Sequence, residues 1–268
     1  MQNDVNVSAG PLTSKQVFEN GVRLYSDTGI FDIRIYSASI IRVTFSKPDR
    51  KPIDFSYAVQ SPPLSTRWVI EEKPDTIIIK TESMGLVIHC NPIRLCFLDC
   101  ENHTLNEEHP SFGTSWIAEK ITSYRKLQPH ERFIGLGEKT GNLDRRGSAY
   151  TNWNTDRFAY PVNADPLYLS VPFYIGINRN RPYGIFLDSP SKTVFNFGAS
   201  NNRFSYFSTE LGSMRYYFLH DTDIRKIIEA YTWLTGRQPL PPIWSLGYQQ
   251  CRYSYMSAAD VVRLAKTF

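Results

Sequence analysis

The polar segment from Phe133 to Pro166 contains the side chains of this sequence that are best suited to binding a small molecule. Near its centre Asn152–Arg157 reads NWNTDR, so an indole ring stands beside amide, hydroxyl, carboxylate and guanidinium groups. A sugar ring has apolar C–H faces that stack on aromatic rings, and its hydroxyl groups hydrogen bond to amides and carboxylates. This mixture therefore favours a hydroxyl-rich ligand, with Asp156 as the carboxylate that binds it.

The same segment also has ordinary structural interpretations. Asn-Thr-Asp is a common turn sequence, and Trp153 can close the edge of a sheet instead of binding a ligand. Gly135 and Gly137 lack the Gly-Lys-Ser/Thr frame of a phosphate-binding loop, so no nucleotide site is expected. Glu138 and Asp156 can serve as the acid and base of a glycosidase only if the fold brings them about 5 to 9.5 Å apart. Both kinds of role stay open at this point.

The composition is that of a globular chain with a substantial core, since 41% of its 268 residues are hydrophobic and 21% are charged. These proportions exclude a disordered or collagen-like chain. The net charge of +4 comes from scattered basic residues, which provide no patch for nucleic acid or for a membrane surface. The aromatic share of 14% suits either a β-rich core or platforms for sugars.

The ends and the cysteines bear on location and cofactors. No basic and apolar leader is present at the start, and no apolar run approaches the roughly 20 residues of a membrane helix. The four cysteines form no CxxC pair, and Cys96 and Cys100 with His89 and His103 only faintly resemble a zinc site. We therefore expect a cytoplasmic protein with free thiols, no metal and no cofactor.

Period-two alternation predicts that residues 1–221 form a mainly β domain, a sandwich of two antiparallel sheets. The segment from Phe31 to Phe45 alternates apolar and polar residues. Two apolar runs flank the turn at Asn91 and Pro92, and two more flank the polar turn at 178–182. Short strands separated by turn residues at this spacing are typical of sandwiches.

A helix is predicted after His220, because apolar residues recur there at helical spacing: Ile224, Ile227, Ile228, Tyr231 and Leu234. Asp221 or Thr222 can cap its start, and Gly236 can end it. The proline-rich stretch at 238–242 suits neither helix nor central strand. Residues 222–242 are therefore expected to be a connecting helix and linker, with a domain boundary near Leu240.

The sequence pattern of residues 243–268 predicts one strand followed by one helix. Trp244 to Tyr248 has the pattern of a buried strand, and Ser257 begins a helix with Asp260 at the capping-box position. A single βα unit cannot bury its own faces, because a parallel strand needs neighbours. The chain is therefore expected to be the front of a longer protein whose βα-repeating domain begins here.

The second half of the sequence resembles the N-terminal part of an α-glucosidase of glycoside hydrolase family 31. The resemblance extends over roughly Phe133 to Phe268, whereas the preceding part fits by its strand pattern only. It is carried by several ordered motifs, FIGLGEK at 133–139, YTNWNTD at 150–156, PFYIG at 172–176, YGIFLD at 183–188, YTWLTG at 231–236 and PPIWSLGYQQCRYSY at 241–255.

The resemblance implies a galactose-mutarotase-like β-sandwich followed by a (β/α)8 barrel, of which residues 243–268 would be the truncated start. It implies that Asp156 and Tyr253 contact the terminal glucose, with Trp153, Thr155 and Arg252 as possible supports of the substrate loop. The nucleophile and the acid/base of the family lie in motifs beyond residue 268. The resemblance thus implies a retaining enzyme that releases terminal non-reducing α-linked glucose, and a chain that is inactive alone.

Other functions stay in play. The parent can have another activity of the same family, such as α-xylosidase, α-glucan lyase or sulfoquinovosidase. The chain can instead be a free-standing carbohydrate-binding sandwich, and a mutarotase would need a histidine facing a glutamate across the concave sheet. Expected partners are an α-glucoside oligosaccharide and the rest of the barrel, without nucleic acid or membrane. Apolar residues around Trp244 and Val261 make a homo-oligomer possible.

Overall fold

The computed structural model describes residues 5–50 and 54–268, which fold mainly into antiparallel β-structure. The described part contains 19 strands, two α-helices and one 3-10 helix. The strands are β1 (Val7–Ser8), β2 (Ser14–Phe18), β3 (Gly21–Ser26), β4 (Gly29–Ser37), β5 (Ile40–Ser46), β6 (Val69–Lys73), β7 (Thr76–Lys80), β8 (Met84–Cys90), β9 (Ile93–Asp99), β10 (Thr104–Glu107), β11 (Thr114–Ile117), β12 (Lys120–Lys126), β13 (Arg132–Gly137), β14 (Ala149–Asn152), β15 (Ser170–Asn178), β16 (Arg181–Leu187), β17 (Thr193–Asn196), β18 (Phe204–Thr209) and β19 (Ser213–His220). The α-helices are α1 (Ile224–Thr235) and α2 (Ala258–Thr267), and the 3-10 helix is Ile243–Leu246.

The strands form three antiparallel sheets instead of the predicted two. The eight-stranded sheet has the order β13-β15-β16-β19-β5-β4-β3-β2, and the six-stranded sheet has the order β1-β11-β12-β18-β17-β14. The meander β6 to β10 forms a sheet of its own. The predicted hairpins at Asn91–Pro92 and at 178–182 are confirmed as β8–β9 and β15–β16. Alternation predicts strands, but it does not specify the number of sheets, because pairing between distant strands is tertiary.

Alternation along β4 and β5 explains where the core lies. The segment predicted from Phe31 to Phe45 is a hairpin of these two strands, and Phe31, Ile33 and Val43 point into the core. Across the core the rings of Phe97 and Phe218 stack with their centroids 3.8 Å apart. Each fully buried side chain of this size stabilises the fold by about 1.5–3 kcal/mol, so the aromatic residues are largely used for packing.

Helix α1 packs on the outer face of the eight-stranded sheet. Its predicted apolar stripe is confirmed except at Ile228, which is exposed: Ile227 and Leu234 are buried, and the ring of Tyr231 stacks on Phe173 of β15 at 4.1 Å. The cap prediction was wrong by one or two positions, because the carboxylate of Asp223 accepts the hydrogen bond from the Arg225 amide. Any short acidic or hydroxyl side chain at this turn can cap, and only the path of the backbone selects one.

Contacts within the chain divide it into two compact units, residues 1–236 and residues 237–268. In the second unit the strand predicted at Trp244–Tyr248 is wrong, because the structure has the 3-10 helix Ile243–Leu246 there. The local hydrogen bond from the Ser245 amide to the Pro242 carbonyl satisfies backbone groups that a strand would pair with a neighbour. The helix after Ser257 is confirmed, and the Ser257 hydroxyl accepts a hydrogen bond from the Asp260 amide.

No helix within residues 5–50 and 54–268 has the length and apolar character that crossing a bilayer requires.

A buried glutamate, Glu131, is hydrogen bonded to Tyr183 of β16 inside the first unit. The Tyr183 hydroxyl donates a 2.6 Å hydrogen bond to Glu131 Oε1, and it accepts a 3.1 Å hydrogen bond from the Asn106 amide. Glu131 is fully buried, and burial raises the pKa of its carboxyl to about 7. A buried acid in such a place prefers the protonated form.

Stability of the chain is therefore expected to fall as the pH rises from about 4.5 to about 7, the interval in which the unfolded carboxyl is ionised but the folded one is not. Protonated Glu131 contributes fully to the free energy of unfolding below pH 4.5. Between pH 4.5 and pH 7 this contribution is lost at up to about 1.4 kcal/mol per pH unit, and above pH 7 it changes no further. Urea unfolding of the wild type and of Glu131→Gln at each pH tests this. Glu131→Gln should flatten the profile and the exposed control Glu82→Gln should not; an unchanged slope in Glu131→Gln would contradict the assignment.

Candidate functional site

The segment between β14 and β15 connects the six-stranded sheet to the eight-stranded sheet. β14 is an edge strand and pairs only with β17 among the described strands, with Asn152 opposite Thr193. β15 belongs to the eight-stranded sheet and lies next to its edge strand, β13. The register between β13 and β15 shifts near Gly137. The intervening residues therefore leave one sheet at its edge and return to the next, which places them on the surface of the first unit.

The base of this loop is held by a buried ion pair. Lys139 has a side chain with no exposed surface, and its ammonium lies 2.7 Å from Asp165 Oδ1 and 2.6 Å from the Thr151 carbonyl. The second oxygen of Asp165 accepts a hydrogen bond from the Thr151 amide. Since Lys139 precedes the loop and Asp165 is near its end, this pair closes the loop at its base.

Backbone hydrogen bonds fix the loop above this pair. The Thr155 amide donates to the Leu167 carbonyl at 2.9 Å, and the Asn154 side chain accepts from the Ser170 amide at 2.9 Å. Glu138 accepts a 3.2 Å hydrogen bond from the Leu169 amide. Glu138, which was considered as one member of an acid/base pair, thus serves to hold the loop in place.

The tip of the loop presents aromatic rings and one carboxylate to solvent. Asp156 is exposed and has no hydrogen bond or ion pair with the other described residues. Trp153 is 52% exposed, Phe158 is 93% exposed and Tyr160 is 41% exposed. An unpaired carboxylate beside half-exposed rings can accept hydrogen bonds from hydroxyl groups while the rings cover C–H faces.

A groove of about 340 Å³ lies beside the start of the loop. Its lining includes Trp153, Pro172 and three polar residues with buried side-chain atoms, namely Asn152, Ser170 and Thr193. The side-chain polar atoms of these three residues are buried and lack hydrogen-bond partners within the described part of the chain. Sequence reasoning missed Ser170 and Thr193, because no motif marks them and only strand pairing brings Thr193 opposite Asn152.

The predicted sugar contacts fall in both units. Trp153, Thr155 and Asp156 lie in the loop of the first unit, where the Thr155 hydroxyl donates to the Trp153 carbonyl at 2.8 Å. Tyr253 and Arg252 lie in the second unit and are exposed, Tyr253 completely. Their participation in the same site as Asp156 stays a prediction.

The glycines of the FIGLGEK motif belong to strand β13. A Cβ at Gly135 would lie 2.7 Å from the Phe173 carbonyl oxygen, and Gly135 has a φ of +126°. Glycine is therefore required here for close approach of β13 to β15 and for the irregular register. Gly135 of this motif therefore has a structural role.

Among the described residues, the buried Glu131 and Glu108 are hydrogen bonded to side chains other than histidine. Glu131 is hydrogen bonded to Tyr183, and Glu108 accepts a 2.5 Å hydrogen bond from the Thr114 hydroxyl. The buried His220 donates through Nδ1 to the Pro182 carbonyl at 2.8 Å. Within the described residues no histidine is hydrogen bonded to either of these glutamates.

A surface turn between β9 and β10 brings together Asp99, Glu101 and His103, whose ligand atoms lie within 4.8 Å of one another. Asp99 is already paired with Arg181 at 2.9 Å and accepts hydrogen bonds from the Glu101 and His103 amides. These bonds give the cluster a structural role in the turn. Cys96 is half-buried and Cys100 is exposed, and both are free thiols.

Comparison with known proteins decides the family. The sequence pattern of the glycosyl hydrolase 31 N-terminal galactose mutarotase-like domain matches residues 30–196. This chain belongs to that family. The resemblance stated from the motifs is thereby confirmed, and the match also covers residues before Phe133 that the motifs did not reach.

Relatives of this glycoside hydrolase family 31 chain include enzymes of more than one specificity. Alpha-glucosidase 2 of Bacillus thermoamyloliquefaciens is 33% identical over 93% of this chain and 32% of its own length. The alpha-xylosidase XylQ of Lactiplantibacillus pentosus is 32% identical over 54% of this chain and 18% of its own length. A Flavobacterium johnsoniae GH31 dextranase, solved in complex with glucose, is 34% identical with a TM-score of 0.91 and is matched over 97% of this chain and 32% of its own. The family 31 chain thus spans about a third or less of these relatives.

Proposed function

We propose that this chain is the N-terminal substrate-recognition portion of a retaining α-glucosidase that removes terminal non-reducing α-linked glucose from oligosaccharides. The observation that carries the proposal is Asp156, an exposed carboxylate that has no partner among the other described residues, on a loop that is fixed at its base. This carboxylate can therefore accept hydrogen bonds from sugar hydroxyl groups, and the flanking Trp153 offers a ring for stacking. The α-glucosidase among the relatives, similar over most of the chain, supports this choice.

In the proposed enzyme this chain supplies binding energy and orientation. A retaining mechanism needs two carboxylates, one as nucleophile and one as acid and then base, and we place both beyond residue 268. Asp156 would hold the terminal glucose so that the reacting carbon meets the nucleophile, a contribution that depends on a rigid loop. The chain alone is therefore proposed to be inactive.

The proposed domain organisation follows from the same family. Residues 1–221 form the sandwich domain, residues 222–242 form the connecting helix and linker, and residues 243–268 begin the (β/α)8 barrel. Tyr253 would then line the substrate pocket of the barrel, with Arg252 beside it, because barrel sites lie at one end of the barrel where the connecting loops meet. The exposed Trp244 and Val261 would be covered by the remainder of the barrel, and self-association through them is proposed for the chain alone.

An α-xylosidase is the second candidate, because one relative of 32% identity carries that name. α-Glucan lyase, sulfoquinovosidase and a non-catalytic carbohydrate-binding sandwich are further alternatives. The pocket residues that separate these activities belong to the proposed barrel. A cytoplasmic location is part of the proposal, and the four unpaired cysteines support it because thiols stay reduced there.

Hydrolysis of aryl α-glycosides tests the proposal directly. The chain alone is expected to be silent, whereas a protein extended through the whole barrel should release the aryl group from the α-glucoside. Faster cleavage of the α-xyloside would keep the family and change the substrate. Turnover by the chain alone would contradict the placement of the catalytic carboxylates, and an aryl β-glucoside provides the matched negative control.

A further inference from the structure

A second pocket, separate from the loop of Asp156, lies on the outer face of the eight-stranded sheet and has a volume of about 340 Å³. It differs from the groove beside Trp153 in its charge, because four guanidinium groups line it: Arg23, Arg34, Arg42 and Arg215. Arginine is the residue best suited to planar, bidentate recognition of phosphate and carboxylate groups. Four of them in one small pocket call for a compensating anion.

Strand register brings these arginines together. Arg23, Asp32, Thr44 and Arg215 stand opposite one another across β3, β4, β5 and β19, so their side chains form one row on the same face. Arg34 and Arg42 are paired in the neighbouring row. Residues of the same strands with the opposite phase, such as Val43, fill the core. The arginines therefore lie on the outer face of the sheet, and the apolar residues of the same strands lie on the face that packs in the core.

The carboxylates on this face leave the deeper arginines incompletely paired. Both Arg23 and Arg34 donate hydrogen bonds to Asp32. Arg23 Nε lies 2.8 Å from Asp32 Oδ2, and Arg34 Nε lies 2.6 Å from Asp32 Oδ1. Arg42 is left with Asp54, whose Oδ1 lies 2.6 Å from Arg42 Nη1 and 4.0 Å from Arg215 Nη2. The Asp54 side chain is 79% exposed, so it covers the pocket from the solvent side.

Arg215 has contacts on its other side. Its Nη1 donates to the Phe55 carbonyl at 2.7 Å and lies 3.4 Å from Asp188 Oδ2. Among the described residues, and with Asp188 included, four guanidinium groups face three carboxylates, and the excess becomes two positive charges if Asp54 swings away. The Asp54 carboxylate is mostly solvated already, so it loses little by leaving, provided that another anion takes its place on the buried Arg42.

Three buried donors in this pocket have no acceptor among the described residues. They are Arg42 Nε, Arg215 Nε and the Thr44 hydroxyl, and Arg42 and Thr44 are only 7% and 3% exposed. A buried donor without a partner costs about 1–3 kcal/mol, and a guanidinium N–H can only donate. The missing component is thus an acceptor, and a tetrahedral oxyanion carries several acceptor oxygens and negative charge in a small volume.

We propose that this pocket binds a phosphate group, which displaces the Asp54 carboxylate and accepts hydrogen bonds from Arg42, Arg215 and Thr44. The phosphate can be free inorganic phosphate or part of a small phosphorylated sugar, and both present the same oxygens. The inference is independent of the proposed glucosidase function, because it involves none of the residues of the Asp156 loop.

Titration calorimetry of the chain at constant ionic strength, with inorganic phosphate and separately with a hexose monophosphate, tests the site. Asp54→Ala should bind phosphate about fivefold more tightly, since the competing carboxylate is removed. Thr44→Val, which keeps shape and charge, should weaken binding about fivefold, and Arg42→Met should weaken it at least about tenfold. Glu71→Ala is the matched control, because it removes an exposed, ion-paired carboxylate at another sheet and changes the net charge equally.

The pattern across variants decides the result. Tighter binding in Asp54→Ala together with weaker binding in Thr44→Val supports the site even if Arg42→Met fails to fold. Preference for one of the two phosphates identifies the source of the group. No binding of either phosphate to the wild type or to Asp54→Ala overturns the proposal. So does a gain in Glu71→Ala equal to that in Asp54→Ala, which would indicate unspecific charge attraction.

Discussion

In the proposed longer α-glucosidase, Asp156→Ala is expected to raise the activation free energy that corresponds to kcat/KM for a terminal α-glucoside by about 2 to 4 kcal/mol. This corresponds to a decrease in kcat/KM of about 30- to 1,000-fold. The physical reason is that a carboxylate accepts charge-assisted hydrogen bonds from sugar hydroxyl groups, and alanine leaves those hydroxyls without a partner in a desolvated site. Steady-state hydrolysis of an aryl α-glucoside is the measurement.

Folding should not contribute to this loss. Asp156 is exposed and has no partner among the other described residues, so Asp156→Ala should leave the free energy of unfolding unchanged. Asp75→Ala, which removes another exposed carboxylate at the turn between β6 and β7, is the matched control and should retain full kcat/KM. Unchanged kinetics in Asp156→Ala would remove this residue from the substrate site.

Replacing Lys139 with methionine is expected to destabilise the first unit by about 3 kcal/mol, near the lower end of the effect of breaking a buried ion pair. The Lys139 side chain has no exposed surface and Asp165 is 20% exposed, so the variant leaves a largely buried carboxylate without its cation. The loop that carries Asp156 also loses the contact that closes its base. Urea unfolding of the chain measures the stability, and digestion by a protease measures the local opening of the loop.

Two controls separate the ion pair from general effects of substitution. Lys80→Met breaks an exposed pair with Glu71 in the meander and should cost at most about 1 kcal/mol. The double variant Lys139→Met with Asp165→Asn should recover part of the stability, because no unpaired charge stays buried. Equal destabilisation by Lys139→Met and Lys80→Met would show that the buried pair has no special role at the loop.

Local patterns predicted much of this architecture correctly. Alternation located the strands around Asn91 and around 178–182, and the apolar stripe located α1, because period and turn residues are properties of short segments. Sequence alone was less reliable where alternative local hydrogen-bonding patterns compete and where distant strands must pair. The cap of α1 is Asp223, the second unit has a 3-10 helix where a strand was predicted, and the sheets number three.

The same division holds for the sites. Residue types alone pointed to the Asn152–Arg157 segment, and ordered motifs alone identified the family, since both depend on which side chains follow one another. Only the tertiary structure decided that Glu138 and Lys139 hold the loop, whereas Asp156 has no partner in residues 5–50 and 54–268. Only strand register gathered the four arginines, which stand far apart in the sequence and carry no motif. Burial and pairing arise from contacts between distant segments, and those contacts determine which polar groups are left free to bind a ligand.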